Sequence, residues 1–336
     1  MLVRSNRIVV IGASSGGIEA LRSLAANLPA DFAAPICVVL HVSPQSPAVL
    51  ADILSRSGPL RARSAGDRER LNSGQIFVAP PDFHLLIEPG WVRLSKGPRE
   101  NRFRPAIDPL FRTAAQVYGP GAIGVLLTGN LDDGTAGLWT IKQLGGIAVV
   151  QDPNDAMFPS MPASAIAHVR IDHVAPLAEI PGLLVKLASQ PFEAALGSTP
   201  PESLEVEVKI AKEQNPVDAG LLRVGEPSSF ACPECHGVLL QLEEGGRLRF
   251  RCHTGHAYSM DSLLAAIGEG IEDTMWTAIR ALEEGRLLLN TMANHIEASH
   301  GGPDVARLRE RADETARQSE ALRRLVSARE PLPTES

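Results

Sequence analysis

Five short runs built almost wholly of Val, Ile and Leu, at residues 8–11, 36–40, 75–79, 125–127 and 147–150, are separated by stretches with helical period. Such runs read as strands buried on both faces. That is the condition of a parallel sheet covered by helices, because a half-solvated antiparallel strand would alternate apolar and polar residues. The fold class that follows is α/β, with a doubly wound, mostly parallel sheet. Residues 84–87 and 91–94, separated by Pro89 and Gly90, carry the signature of an antiparallel hairpin, expected at one end of that sheet.

The α/β pattern fades near residue 191, and 336 residues leave room for more than one domain. Residues 1–191 are therefore read as one domain. Periodicity is weak over 192–229, where prolines stand at 200, 201, 216 and 227, so this stretch reads as a linker. A Cys/His-rich module occupies 230–258. Beyond it Leu264, Ile267, Ile271, Met275, Leu282 and Leu289 recur at helical spacing, and Gly301 and Gly302 separate this helix from a second one, a helical hairpin over 259–330.

Charge narrows the partners. With 32 basic and 39 acidic residues the net charge is -7, which argues against nucleic acid or an anionic membrane, since phosphate contacts need a clustered basic surface. No apolar run approaches the ~20 residues that span a bilayer, and residues 8–11 are too short for a signal-peptide core. A cytoplasmic protein without membrane insertion is expected. Disulfides are rare in that compartment, so the isolated Cys37 reads as a small core residue.

Gly12, Ser14 and Gly16 form a G-x-S-x-G match where the first strand turns into a helix. A serine on such a turn projects its oxygen toward the helix N-terminus, whose dipole favours a developing oxyanion. The same glycine-rich turn also fits the start of a dinucleotide-binding fingerprint. Against that, Ile18 stands where a further glycine is needed, and neither Tyr118 nor Tyr258 has a lysine four residues on. A serine nucleophile needs a base, and His41 ends the second strand, with His84, His168 and His173 as competitors. Carboxyl ends of neighbouring parallel strands line one crevice, so Ser14 and His41 can meet there. Asp132 or Asp133, in the glycine-flanked loop after the strand at 125–127, would orient the imidazole.

Together these residues carry a resemblance. Residues 12–17, His41 with Pro44, residues 79–84, residues 101–105, residues 127–134, and Met161 with Pro162 resemble the catalytic domain of the CheB family of chemotaxis protein-glutamate methylesterases, over residues 7–187. The resemblance implies Ser14 as nucleophile, His41 as base and Asp133 as orienting acid. It also implies methyl-ester hydrolysis on helical chemoreceptors, with deamidation of specific glutamines, and no cofactor for catalysis. Two departures stand out. Asn130 occupies the position where family members carry a methionine whose backbone amide serves the oxyanion, and no phospho-receiver domain is expected before the first strand. Arg102 and Arg104 would either steer an acidic receptor surface or sit in a solvated loop, and neither is assigned to catalysis. The competing reading is a signalling adaptor that binds methylated receptor helices without turnover.

Cys232 and Cys235, then Cys252 and His256 sixteen residues later, give C-x2-C and C-x3-H pairs suited to tetrahedral zinc. His236 and His253 are competing ligands. Four protein ligands leave no open position, so a structural Zn2+ is expected in a zinc ribbon whose hairpin strands flank residues 243–246. The short basic stretch from Arg247 to Arg251 is a weak nucleic-acid signal. The helical hairpin, with its apolar stripe, is expected to engage a signalling partner.

Overall fold

β1 (Ile8–Ala13) shows why the sheet forms: every residue is buried, and its side chains alternate between two cores. Val9 and Ile11 face one side of the sheet, and Ile8 and Val10 the other. Fully burying one such side chain stabilises by roughly 1.5–3 kcal/mol, which only a sheet covered on both faces obtains along its whole length. The computed structural model describes residues 7–192, 200–299, 303–330 and 332.

The chain continues through α1 (Gly17–Ala26), β2 (Ile36–Leu40), α2 (Leu50–Ser57), β3 (Arg61–Ser64), β4 (Glu69–Arg70), β5 (Gln75–Val78), β6 (His84–Glu88) and β7 (Trp91–Ser95). Next come α3 (Ile107–Tyr118), β8 (Ala122–Leu126), α4 (Thr135–Gln143), β9 (Ile147–Gln151), α5 (Ser160–His168), β10 (His173–Ala175) and α6 (Ile180–Ser189). The main sheet has seven strands in the order β10-β9-β8-β1-β2-β5-β3, and every pairing in it is parallel. Residues of α1, α2 and α6 line the first core, and residues of α3, α4 and α5 the second. Strand order reverses around β1, so the crevice for a ligand opens at the carboxyl ends of β1, β2 and β8.

The expected hairpin is present as β6 and β7, but not at an end of the main sheet. It forms a separate sheet in the order β4-β7-β6. Leu85, Ile87 and Val92 point into the second core, and the Ile87 amide donates to Thr113 Oγ1 of α3. The hairpin thus satisfies its apolar face against α3 and has no need of the sheet edge. β3 and β10, edge strands of four and three residues, are too short or too polar to have been visible in the apolar pattern.

The stretch expected as a linker is largely folded: α7 (Glu202–Ala211), α8 (Pro216–Ala219) and α9 (Leu221–Val224) lead into β11 (Glu226–Ala231). Leu204 and Val208 of α7 enter the second core, while Val206 and Ile210 pack with Leu240 and Leu242. Residues 193–199 of that stretch lie outside the described residues. β11, β12 (Val238–Glu244), β13 (Arg247–Cys252) and β14 (Ala257–Ser259) form an antiparallel sheet in that order. Gly245 and Gly246, with φ of 60° and 76°, make the tight turn between β12 and β13 that two left-handed residues allow.

Compactness divides the chain between Leu263 and Leu264. Of the second unit, α10 (Met260–Ser299) supplies all but its first residues, and α11 (Pro303–Ala328) runs back along it. Ser319 donates to Glu283 at 2.7 Å, and the Arg329 guanidinium reaches the Gly268 carbonyl at 2.9 Å, which fixes the antiparallel hairpin. The separating Gly301 and Gly302 lie outside the described residues. Among those described, no helix is long and apolar enough to cross a membrane.

Candidate functional site

Ser14 follows β1 directly, in the turn that leads to α1. Gly16 caps that helix with φ 74°, a left-handed conformation natural to glycine. Gly129 closes the other side of the turn: a Cβ there would lie 2.8 Å from Ser14 Cβ and 2.6 Å from Met161 Cε, so only glycine lets the loop approach the serine. His41 follows β2, and its amide is anchored on the Ala13 carbonyl. Asp133 lies in the loop after β8.

Three loops at the crevice thus bring Ser14, His41 and Asp133 together. Ser14 Oγ lies 3.1 Å from His41 Nδ1, and His41 Nε2 lies 2.7 Å from Asp133 Oδ2. The carboxylate accepts from Nε2–H, so that tautomer leaves Nδ1 bare to accept the Ser14 hydroxyl proton. The side chains of His41 and Asp133 are each only 3% exposed. Phe103 stacks on the imidazole, with centroids 3.8 Å apart and planes within 5°, which fixes the ring's tilt.

Asp133 is held from every side. Oδ2 accepts the Ile107 amide at 2.7 Å, and Oδ1 accepts Asn101 Nδ2 at 2.8 Å and the Asp108 amide at 3.4 Å. Ile107 and Asp108 open α3, so the positive end of that helix points at the carboxylate. Burial pushes the acid up, yet the His41 contact and the Ile107 and Asn101 donors outweigh it and hold Asp133 below the ordinary carboxylate range. Asp108, also buried, goes the other way. Burial and the Asp133 charge push it up to about 7 against the pull of Arg112 and Arg249.

The competing bases are elsewhere employed. His84 is fully buried, with Nε2 on the Pro98 carbonyl and Nδ1 accepting from the Ala106 amide, and burial lowers its pKa. His168 Nδ1 lies on the Ser164 carbonyl, and His173 is in β10. Arg104 is committed to Asp82 through two bonds, at 3.0 and 2.7 Å. Asn130 donates its side-chain amide to Ser15 Oγ at the rim of the site.

The Cys/His module makes a second cluster. Ligand atoms of Cys232, Cys235, Cys252 and His256 all lie within 4.8 Å of one another. Cys235 Sγ to Cys252 Sγ is 3.6 Å, and His256 Nδ1 lies 3.7 Å from Cys232 Sγ and 3.6 Å from Cys252 Sγ. A tetrahedral zinc with bonds of about 2.3 Å to sulfur and 2.0 Å to nitrogen has edges of about 3.5–3.8 Å, so the donor set fits that ion. His256 turns its other nitrogen toward Glu234 at 3.5 Å, a partner that would fix the ring for metal binding. His236 and His253 stand outside the cluster.

Sequence reasoning missed what lies between the two clusters. Glu100, before the Asn101 turn, and Glu207 of α7 face Arg112 of α3 and Arg249 and Arg251 of β13, all of them buried. Glu100 meets Arg112 and Arg251 at 2.8 Å each, and Glu207 meets Arg112 at 2.9 Å and Arg249 at 3.3 Å. Opposing charges hold Glu100 and Glu207 below the ordinary range although burial works against it. The basic stretch of β13 is therefore turned inward at Arg249 and Arg251 and offers no nucleic-acid surface there. A charge at Asp108, inside the otherwise apolar start of α3, was the available sign that buried partners must exist.

A sequence profile of the CheB methylesterase family matches residues 9–184. A protein of Leptospira interrogans named putative protein-glutamate methylesterase/protein-glutamine glutaminase is 42% identical over 186 residues, covering 55% of this chain and 96% of that protein. The protein-glutamate methylesterase/protein-glutamine glutaminase of Thermotoga maritima is 37% identical over 187 residues, 54% of each chain. The crystal structure of the Thermotoga maritima CheB methylesterase catalytic domain matches with a TM-score of 0.52 and 38% identity, covering 54% of this chain and 98% of that one. A match over half the chain, on the residues that build the crevice, makes this chain a member of the CheB methylesterase family.

Proposed function

We propose that the chain is a protein-glutamate methylesterase whose nucleophile is Ser14, base His41 and orienting acid Asp133. The observation that carries this is the continuous relay Ser14 Oγ, His41 Nδ1, His41 Nε2, Asp133 Oδ2, with steps of 3.1 and 2.7 Å. Ser14 Oγ bonds to the ester carbonyl carbon as its proton passes to His41 Nδ1. The oxyanion forms beside the N-terminus of α1 and the backbone of the Asn130 loop. Collapse breaks the carbon–methoxy bond, and His41 returns the proton so that methanol leaves. Water then attacks the acyl-Ser14 ester with His41 again as base, releasing the glutamate carboxylate and restoring Ser14. A glutamine side chain would follow the same course with ammonia leaving. Asp133 stays ionised throughout and stabilises the imidazolium.

The names of the relatives give the target as glutamate methyl esters and glutamines of a protein, and the substrate class that the family resemblance implies for that protein is a methylated, helical chemoreceptor. Cys232, Cys235, Cys252 and His256 would hold a structural Zn2+, whose part is to tie the small sheet together. The adaptor reading loses support from so complete a relay. Incubation with methyl-labelled receptor membranes tests the choice. Ser14→Ala should lower methanol release by at least about 10³-fold with the fold intact, and unchanged release would reject the assignment.

A further inference from the structure

Asn101 is 3% exposed and spends both ends of its amide. Its nitrogen donates to Asp133 Oδ1 at 2.8 Å and to Asp108 Oδ2 at 3.1 Å. Its oxygen accepts the Ser259 amide at 2.9 Å and the Ser262 hydroxyl at 3.1 Å. Ser259 ends β14 and Ser262 lies in the first turn of α10, where the two serines cap each other: the Ser262 amide donates to Ser259 Oγ at 3.0 Å, and the Ser259 amide to Ser262 Oγ at 2.8 Å. The residue beside the catalytic acid is gripped from the same side. Asp132 accepts the Ser259 hydroxyl at 2.6 Å and pairs with Arg247 of β13. Asn101 also donates its own amide to the Ala257 carbonyl at 2.8 Å, so the turn is stitched to β14 by main chain as well.

We propose that the Cys/His module is part of the esterase site: Ser259 and Ser262 lock Asn101, and Asn101 positions Asp133 of the relay. Asn101, Ser259 and Ser262 are positioning residues, acting on Ser14 only through Asp133 and His41. The geometry has a direction. The amide nitrogen can serve two carboxylates only if its oxygen is turned away toward donors, and those donors come from the end of β14, the last strand of the module's sheet, and from the first turn of α10 that follows it. Without them the amide oxygen is buried with no donor, and only the Asp133 and Asp108 carboxylates still hold the orientation of the side chain. This rests on the relay reading given above.

The test compares Ser14→Ala, Ser262→Ala and Asn101→Ala in the full chain, using methyl-labelled receptor membranes, with zinc content, thermal unfolding and titration of competent sites by a fluorophosphonate. Loss of a neutral hydrogen bond one step from the acid should lower kcat about fivefold in Ser262→Ala, and loss of the bond to the charged acid about 30-fold in Asn101→Ala. KM, zinc content and the titrated fraction should stay at the wild-type values. A residue that only supports the fold would change the titrated fraction or the stability, not the turnover of each folded molecule. Wild-type kcat in both variants, or a fall accounted for by fewer titrated sites, overturns the coupling while an inactive Ser14→Ala leaves the esterase reading standing. Full activity in Ser14→Ala overturns that reading and this inference with it.

Discussion

The parallel sheet and the Cys/His module stand side by side in one compact unit but are held by different forces. In the sheet, β1, β2 and β8 are buried along their whole lengths, and two continuous apolar cores lie on its faces. The module buries few large apolar groups, chiefly Leu239, Leu240, Leu242, Phe250 and Tyr258. It relies instead on four converging ligands and on arginines turned inward to acids of the neighbouring elements. Apolar area is insensitive to any single contact. Cross-links concentrate the same stability in a few groups, and each is a place where the module can be opened.

The largest break in that contrast is expected at the proposed zinc site. Structural zinc contributes on the order of 10 kcal/mol of binding free energy in small modules, and that energy is folding energy. Cys235→Ser should drop zinc from about one per chain to well below half, and should expose residues 226–259 to protease while residues 7–192 stay protected. Full zinc content together with undiminished protection in the variant would show that the module does not depend on this cluster.

That difference in forces also decided what could be read from sequence. The central strands of the main sheet were legible because two-sided burial writes itself as unbroken Val, Ile and Leu, and Ser14, His41 and the pair Asp132 and Asp133 were legible because each ends or follows such a strand, the choice of Asp133 coming from the family resemblance. The C-x2-C and C-x3-H spacing was equally local. Asn101, Glu207, Arg249 and Arg251 were not, since each takes its role from partners far along the chain: Asn101 from Ser259, Glu207 from Arg251. α7 stayed hidden because its apolar residues face two different neighbours, Leu204 and Val208 one core and Val206 and Ile210 another, which blurs a single helical stripe.

A smaller break targets the charges and leaves the ligands alone. Glu207 meets Arg251 through Nε at 2.8 Å as well as Arg112 and Arg249, and the site is almost sealed from water. Glu207→Gln keeps the shape but leaves three buried guanidiniums facing Glu100, the weakly acidic Asp108 and, at Arg249 alone, Glu244 at 3.0 Å. Removing one partner of a buried ionic cluster costs about 3–5 kcal/mol. Denaturant unfolding should show a loss of that size with zinc content unchanged. A loss below about 1 kcal/mol would mean that the cluster contributes specificity of docking and little stability.

The smallest effect is expected where the contrast predicts resilience. Ile123 of β8 is fully buried, in the core lined by α1 and α6, on the face of the sheet opposite Ile107 and the Asp133 cradle. Ile123→Val removes one methylene, keeps the β-branched shape the strand prefers, and should cost about 1 kcal/mol. Turnover per folded molecule should not change, because no polar contact of the relay is disturbed and the surrounding apolar contacts absorb the gap. Set beside Ser262→Ala, which removes a buried cap and should cost a similar amount of stability, this makes a matched pair: one variant spares kcat and the other lowers it. If Ile123→Val reduced kcat as much as Ser262→Ala, the acid would be sensitive to any loosening of the domain, and the polar path through Asn101 would have no special standing.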